Sequence, residues 1–230
     1  MSIIVKDVSK IYGKQYALDH VSFEVNKGEV VGFLGPNGAG KSTMMKIITS
    51  YIPPTEGSVV VSGCDVWNDS FQLRQKVGYL SEANPLYYDM YVVEFLEFMA
   101  DVHRIKNKKE AIANVIEMTQ LTEEQHKKIG ALSRGFKQRI GLAQALIHDP
   151  EVLILDEPTT GLDPNQLVGI RSLIRKCGKT KTVLLSTHIM QEVEAVCDRV
   201  LIINHGKIVK DAMMNELQSD IEKVFHEITK

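Results

Sequence analysis

Between Ile3 and Val25 apolar and polar residues alternate: Ile3 and Val5, then Val21, Phe23 and Val25. A period of two marks strands with one buried face, and such neighbours are expected to pair antiparallel. After a turn at Lys27–Glu29 the pattern changes. VVGFL, starting at Val30, is apolar throughout, as in a strand covered on both faces. PPTEG at Pro53–Gly57 breaks the chain before SVVVSG, and KVGYL from Lys76 is a further short strand. From Val92 to Ile105 and from Lys108 to Leu121 the spacing is helical, and this block runs on to about Leu146. Three apolar strands follow, EVLILD, TVLLST and RVLIIN, separated by helical stretches at Asn165–Lys176 and Met190–Val196. Strands alternating with helices predict a parallel sheet with helices on both faces. NHGK at Asn204–Lys207 predicts a hairpin into KIVK, and the tail DIEKVFHEITK reads as a short amphipathic helix.

Composition narrows the class. The chain has 230 residues, 44% of them hydrophobic, enough for a substantial core. With 27 Lys and Arg against 29 Asp and Glu, it lacks the basic excess that holds nucleic acid by bulk charge. Cys64, Cys177 and Cys197 are odd in number and not in metal-ligand spacing, so they read as free thiols in a reducing compartment. MSIIVKDVSK has no signal-peptide pattern, and no apolar run approaches the roughly 20 residues needed to span a bilayer. The expectation is a soluble chain in the cytoplasm.

Candidate chemistry starts at GPNGAGKS, Gly35–Ser42, which follows a predicted strand and opens the predicted helix KSTMMKIITSY. Glycines let a backbone wrap an oxyanion and aim several N–H groups at it. Lys41 adds a flexible cation for the β- and γ-phosphates, and the Ser42 hydroxyl can ligate Mg²⁺. Asp156 and Glu157 close the strand EVLILD, where the ligand crevice of an open parallel sheet lies. Alone, such a pair is an ordinary solvated turn. Beside a phosphate loop, Asp156 is a Mg²⁺ ligand and Glu157 the residue that polarises an attacking water. His188 ends the neighbouring strand TVLLSTH, where a neutral imidazole can accept from that water or donate to the γ-phosphate. ALSRGFKQRIGLAQAL poses a different question. Its second half is an apolar helix face, while Ser133, Arg134 and Gly135 sit where the helix begins, offering free N–H groups, a hydroxyl and a cation to an anion.

In this order the motifs resemble those of the nucleotide-binding subunit of an ABC transporter, and the likeness covers nearly the whole chain. GPNGAGKST is similar to a Walker A loop, GYLSE to a Q-loop, LSRGFKQR to the signature, LILDEP to Walker B, GLD at Gly161–Asp163 to a D-loop and STH to the switch histidine. The resemblance implies an α/β P-loop NTPase fold: a mostly parallel central sheet, an N-terminal antiparallel β subdomain and an inserted helical subdomain near residues 86–147, in a single domain over 1–230. It implies an ATPase with ATP and Mg²⁺ as cofactors. Gly35, Asn37, Gly38, Ala39, Gly40, Lys41, Ser42 and Thr43 would hold the phosphates, and Tyr12, in KIYGKQYAL, would stack on adenine. Ser42, Asp156 and Glu82 would hold the metal, and Glu157, His188 and Lys41 would carry catalysis. The family's subunits pair head to tail, so Ser133 and Gly135 would reach the γ-phosphate held by a second, identical or related, copy. A separate transmembrane permease subunit would be the other partner, with the chain peripheral on the inner face of the membrane and no nucleic acid bound.

Two departures from the family pattern stand out. Glu82 occupies the place of a glutamine, and LSRGF replaces LSGGQ. Gly135 keeps the close backbone approach; Arg134 is expected to turn to solvent. GYLSEANPLYYDMYVVEFLEF and the LSRGF-to-DPNQ stretch are similar to the gliding-motility and multidrug-export branch of bacterial ABC ATPases, as is the ending IEKVFHEIT. The aromatic segment NPLYYDMYVVEF suits either a docking surface or core beneath a loop. A soluble ABC-type switch acting on nucleic acid or a protein assembly is the competing class; its relatives carry paired nucleotide domains or basic extensions absent from this sequence.

Overall fold

The computed structural model describes residues 1–217 and Phe225. Most of the tail read as an amphipathic helix lies outside the described residues. The chain runs β1 (Ile3–Tyr12), β2 (Gln15–Val25), β3 (Val30–Leu34), α1 (Lys41–Ile48), β4 (Glu56–Val61) and β5 (Cys64–Asp65). It continues through α2 (Ser70–Lys76), β6 (Val77–Leu80), α3 (Val92–Val102), α4 (Lys108–Met118) and α5 (Arg134–Leu146). The last part is β7 (Val152–Asp156), α6 (Pro164–Gly178), β8 (Thr182–Thr187), α7 (Met190–Val196), β9 (Arg199–Asn204), β10 (Lys207–Met213) and α8 (Met214–Leu217).

Two sheets form. The smaller has the order β2-β1-β4-β5 and is antiparallel, as the period-two alternation predicts. The larger has the order β10-β9-β3-β8-β7-β6. Its strands are parallel except β10, which returns antiparallel along β9 through the Asn204–Lys207 hairpin. The continuous apolar runs are explained by what each face meets. Along β3, Val31 and Phe33 enter one buried cluster, and Val30 and Leu34 the other. In β7, Val152 and Ile154 face the first, Leu153 and Leu155 the second. The first cluster packs the sheet on α1 and the antiparallel sheet; the second packs it on α3 to α7. Both faces are thus dry, and Phe33→Ala is expected to cost about 3–5 kcal/mol.

Helix ends follow local chemistry. The Ser133 side chain caps α5, accepting from the Phe136 N–H at 3.5 Å. Asp163 caps α6 by accepting from Gln166 N–H at 2.9 Å, with Pro164 following at the first helical position. The α5 helix lies close to β6 because residue 78 is glycine: a Cβ there would fall 2.1 Å from the Ala145 carbonyl oxygen. The helix α2 was not legible in the pattern; only Leu73 of its seven residues is buried, so it carries almost no apolar periodicity. Among the described residues no helix is long and apolar enough to cross a membrane.

Candidate functional site

The phosphate loop joins β3 to α1 across the C-terminal edge of the parallel sheet. Gly40 stands at the N-cap of α1 with φ +111°, and a Cβ there would meet the Ala17 carbonyl oxygen at 2.5 Å. Both facts demand glycine. Beneath the loop, Lys41 is 6% exposed and donates to the carbonyl oxygens of Gly35 at 2.8 Å and Pro36 at 3.2 Å. It therefore lies folded along the loop, its charge held by backbone dipoles and by Glu157 Oε1 at 3.4 Å.

Asp156 and Glu157 sit at the tip of β7, both buried. Ser42 Oγ donates to Asp156 Oδ1 at 3.2 Å, and Ser186 Oγ donates to the same oxygen. Burial raises the Asp156 carboxyl above its ordinary value, while the two hydroxyls favour the charged form. A buried carboxylate beside a hydroxyl, with Glu82 lining the same cavity, is an all-oxygen set that fits Mg²⁺. Glu157 has φ +52°, a left-handed conformation that costs a side-chain-bearing residue about 1–2 kcal/mol. Three groups hold it there. Lys41 pairs with it, Thr160 Oγ1 donates to Oε2 at 3.0 Å, and His188 Nδ1 lies 2.9 Å from Oε2. Facing a carboxylate, Nδ1 is the His188 nitrogen that donates.

Lys41, Ser42, Glu157, Thr160 and His188 line a cavity of about 580 Å³, while Asp156 is buried behind its wall and is linked to it through Ser42. Asn37, Gly38, Gly40, Lys41, Ser42 and Thr43 form its floor; Glu82, Glu157 and His188 form its far side. Gln15, Ala17 and Thr160 also line it and were not singled out from sequence. Thr160 was findable, lying three residues after Glu157 in one turn. Gln15 and Ala17 were not, because only the meeting of the two sheets brings them near. Gly35 and Ala39 shape the loop without lining the cavity. Tyr12 ends β1 and is 53% exposed, outside the lining. Ser133 and Gly135 are elsewhere: Gly135 lines a separate cavity with Phe136, Arg139 and Gln166. Arg134 is exposed, as expected, but it is not free in solvent; its guanidinium lies against Gly161.

A glycine-rich loop between a parallel strand and a helix, with a buried Asp–Glu pair opposite, defines a P-loop nucleotide hydrolase. The comparisons narrow this. The family model described as ABC transporter matches residues 18–160. The bacitracin transport ATP-binding protein BcrA of Bacillus licheniformis is 38% identical over 222 residues, 95% of this chain and 72% of that protein. The linearmycin resistance ATP-binding protein LnrL of Bacillus subtilis is 36% identical over 217 residues, covering 93% and 70%. An ATP-binding cassette solved as a post-hydrolysis dimer with ADP and Pi superposes with a TM-score of 0.83 at 27% identity, covering 92% of this chain and 98% of that one. This chain belongs to the ABC transporter ATP-binding family, and it is an ATPase.

Proposed function

We propose that the chain is the energy-coupling subunit of an exporter, working at the inner face of the cell membrane on a separate transmembrane partner. Two cassettes, identical or related, close over two ATP molecules, and hydrolysis reopens them. One observation carries this reading: Ser133 and Gly135 do not line the nucleotide cavity of their own chain. A phosphate loop grips phosphates from one side, whereas hydrolysis needs donors around the developing charge. The capped start of α5 supplies such donors if a second copy presents it.

Within each cavity the geometry supports the following roles. The loop N–H groups and Lys41 bind the phosphates, and the γ-phosphate draws Lys41 away from Glu157. Glu157 then accepts a proton from the attacking water as the water oxygen bonds the γ-phosphorus. The bond to the bridging oxygen breaks, leaving ADP and phosphate. His188 holds Glu157 by donating from Nδ1, which leaves Nε2 to accept a hydrogen bond from the attacking water. Ser42, Asp156 and Glu82 would hold Mg²⁺, which would supply charge neutralisation to the phosphates. Tyr12, exposed at the end of β1, stacks on the adenine.

For the membrane partner, the strongest support is a groove of about 570 Å³ framed by Tyr51, Phe71, Met99 and Val102. Tyr51 and Phe71 are 71% and 65% exposed. The Tyr87 ring packs edge-on against Phe95 and Phe98, as Tyr51 does against Tyr79, and it too stays exposed, so NPLYYDMYVVEF is part surface and part intramolecular packing. An apolar helical segment of a transmembrane subunit suits the groove. The test of the paired state is size exclusion of Glu157→Gln with and without ATP. A shift to twice the mass with ATP supports it; a chain that stays monomeric at every ATP concentration contradicts it.

A further inference from the structure

Arg134 is the first residue of α5, where a cation opposes the positive end of the helix dipole. What it touches gives the reason for its presence. A Cβ added to Gly161 would lie 2.4 Å from both Cζ and Nη1 of Arg134, so the guanidinium rests on the glycine's bare backbone. The contact is returned. Gln166, in the first turn of α6, lays its amide on Gly135, where a Cβ would fall 2.3 Å from Gln166 Cδ. A third link is polar: Gln138 Nε2 donates to the Pro158 carbonyl oxygen at 2.9 Å. The start of α5 is therefore interlocked with the Pro158–Asp163 turn and the first turn of α6: Arg134 lies on Gly161 of the turn, and Gln166 of α6 lies on Gly135.

The same turn reaches into the nucleotide cavity. Thr160, next to Gly161, donates its hydroxyl to Glu157 Oε2 at 3.0 Å. The lip that would serve a second copy's nucleotide is thus joined, through two residues, to the carboxylate that serves its own.

We propose that Arg134 is a positioning residue that couples the two ATP sites of the closed pair. Seating of the lip on the partner copy's ATP moves Arg134; its guanidinium, resting against Gly161, carries the movement to Thr160 and so to Glu157. The proposal rests on the shared-site reading above. A planar, weakly hydrated guanidinium suits a flat peptide face, and the compact ammonium of lysine does not. Gly161 has φ +73°, so its backbone also disfavours any larger residue.

The experiment measures turnover against ATP concentration for wild type, Arg134→Ala, Arg134→Lys, Gly161→Ala and the Arg134→Ala/Gly161→Ala double variant, with ADP affinity of the single copies by calorimetry. ADP affinity stays within about twofold, since the cavity floor is untouched. Arg134→Ala and Arg134→Lys lower the Hill coefficient to about 1 and kcat by about tenfold. The double variant is no slower than Gly161→Ala, because both changes remove one contact. Wild-type cooperativity and kcat in Arg134→Ala, or an additive double variant, overturns the proposal. Size exclusion with ATP separates the two readings. If Glu157→Gln alone does not pair, the shared site fails and this coupling fails with it. If Glu157→Gln pairs and Glu157→Gln/Arg134→Ala does not, Arg134 is a direct contact between copies, and the positioning role is wrong.

Discussion

The nucleotide cavity and the lip at the start of α5 are built on opposite plans. In the cavity, Lys41 and Glu157 are buried and matched, with Thr160 and His188 fixing the carboxylate before any nucleotide arrives. At the lip, Ser133 and Arg134 are exposed, and α5 begins without an acidic residue in its first turn. One region is preorganised around the Glu157 carboxylate; the other leaves a capped helix start open at the surface. On the proposed shared-site reading, this difference lets a single chain bind ATP while depending on another for hydrolysis. Preorganised donors lower a barrier only when they surround the charge that develops.

The contrast can be broken most severely at Glu157. Glu157→Gln is expected to lower turnover by about a thousandfold while preserving ATP binding, read by steady-state hydrolysis and calorimetry. Ser133→Arg blocks the lip alone. It is expected to lower turnover by roughly 10²–10³-fold with ATP affinity of the single copy unchanged, which separates the regions cleanly. Lys41→Ala is expected to do the reverse, weakening ATP binding by about a hundredfold through the loss of a charge-assisted contact. A smaller effect probes the far end of α5. His148 Nε2 donates to the Val77 carbonyl oxygen at 3.2 Å, and burial, then neighbouring His103, lowers its pKa to about 4. The unfolded chain protonates it near pH 6.5, so it stabilises the fold above that pH and loses the contribution as the pH falls towards 4. Denaturation at pH 7 and pH 5 should differ by about 2 kcal/mol more in wild type than in His148→Gln. The smallest change is Tyr12→Ala, which should weaken ATP binding by about fivefold if its ring covers adenine.

The sequence was most legible where one segment carries its own signal. The phosphate loop, the Asp156–Glu157 tip and the apolar strands each declare themselves within a few residues, because a loop that wraps an anion and a strand buried on both faces tolerate few alternatives. The antiparallel β1–β2 pair was legible through its alternation. Features made by distant contacts were not. The approach of Gln15 and Ala17 to the loop depends on how two sheets meet, and α2 has only one buried residue to betray it. Arg134 is the instructive miss: from its neighbours in sequence it belongs in solvent, and only the fold brings Gly161 beneath it. The resemblance to ABC ATPases supplied the family's head-to-tail pairing, which no periodicity in one chain encodes.

The claim under all of this is that a nucleotide held by one copy is hydrolysed with the help of another copy's lip. The direct measurement is the ATPase rate per molecule across a wide range of protein concentration at saturating ATP. The account predicts a rate per molecule that climbs with concentration and levels off as pairing saturates. A rate that is already maximal at the lowest concentration, where the chain is monomeric with ATP bound, contradicts it.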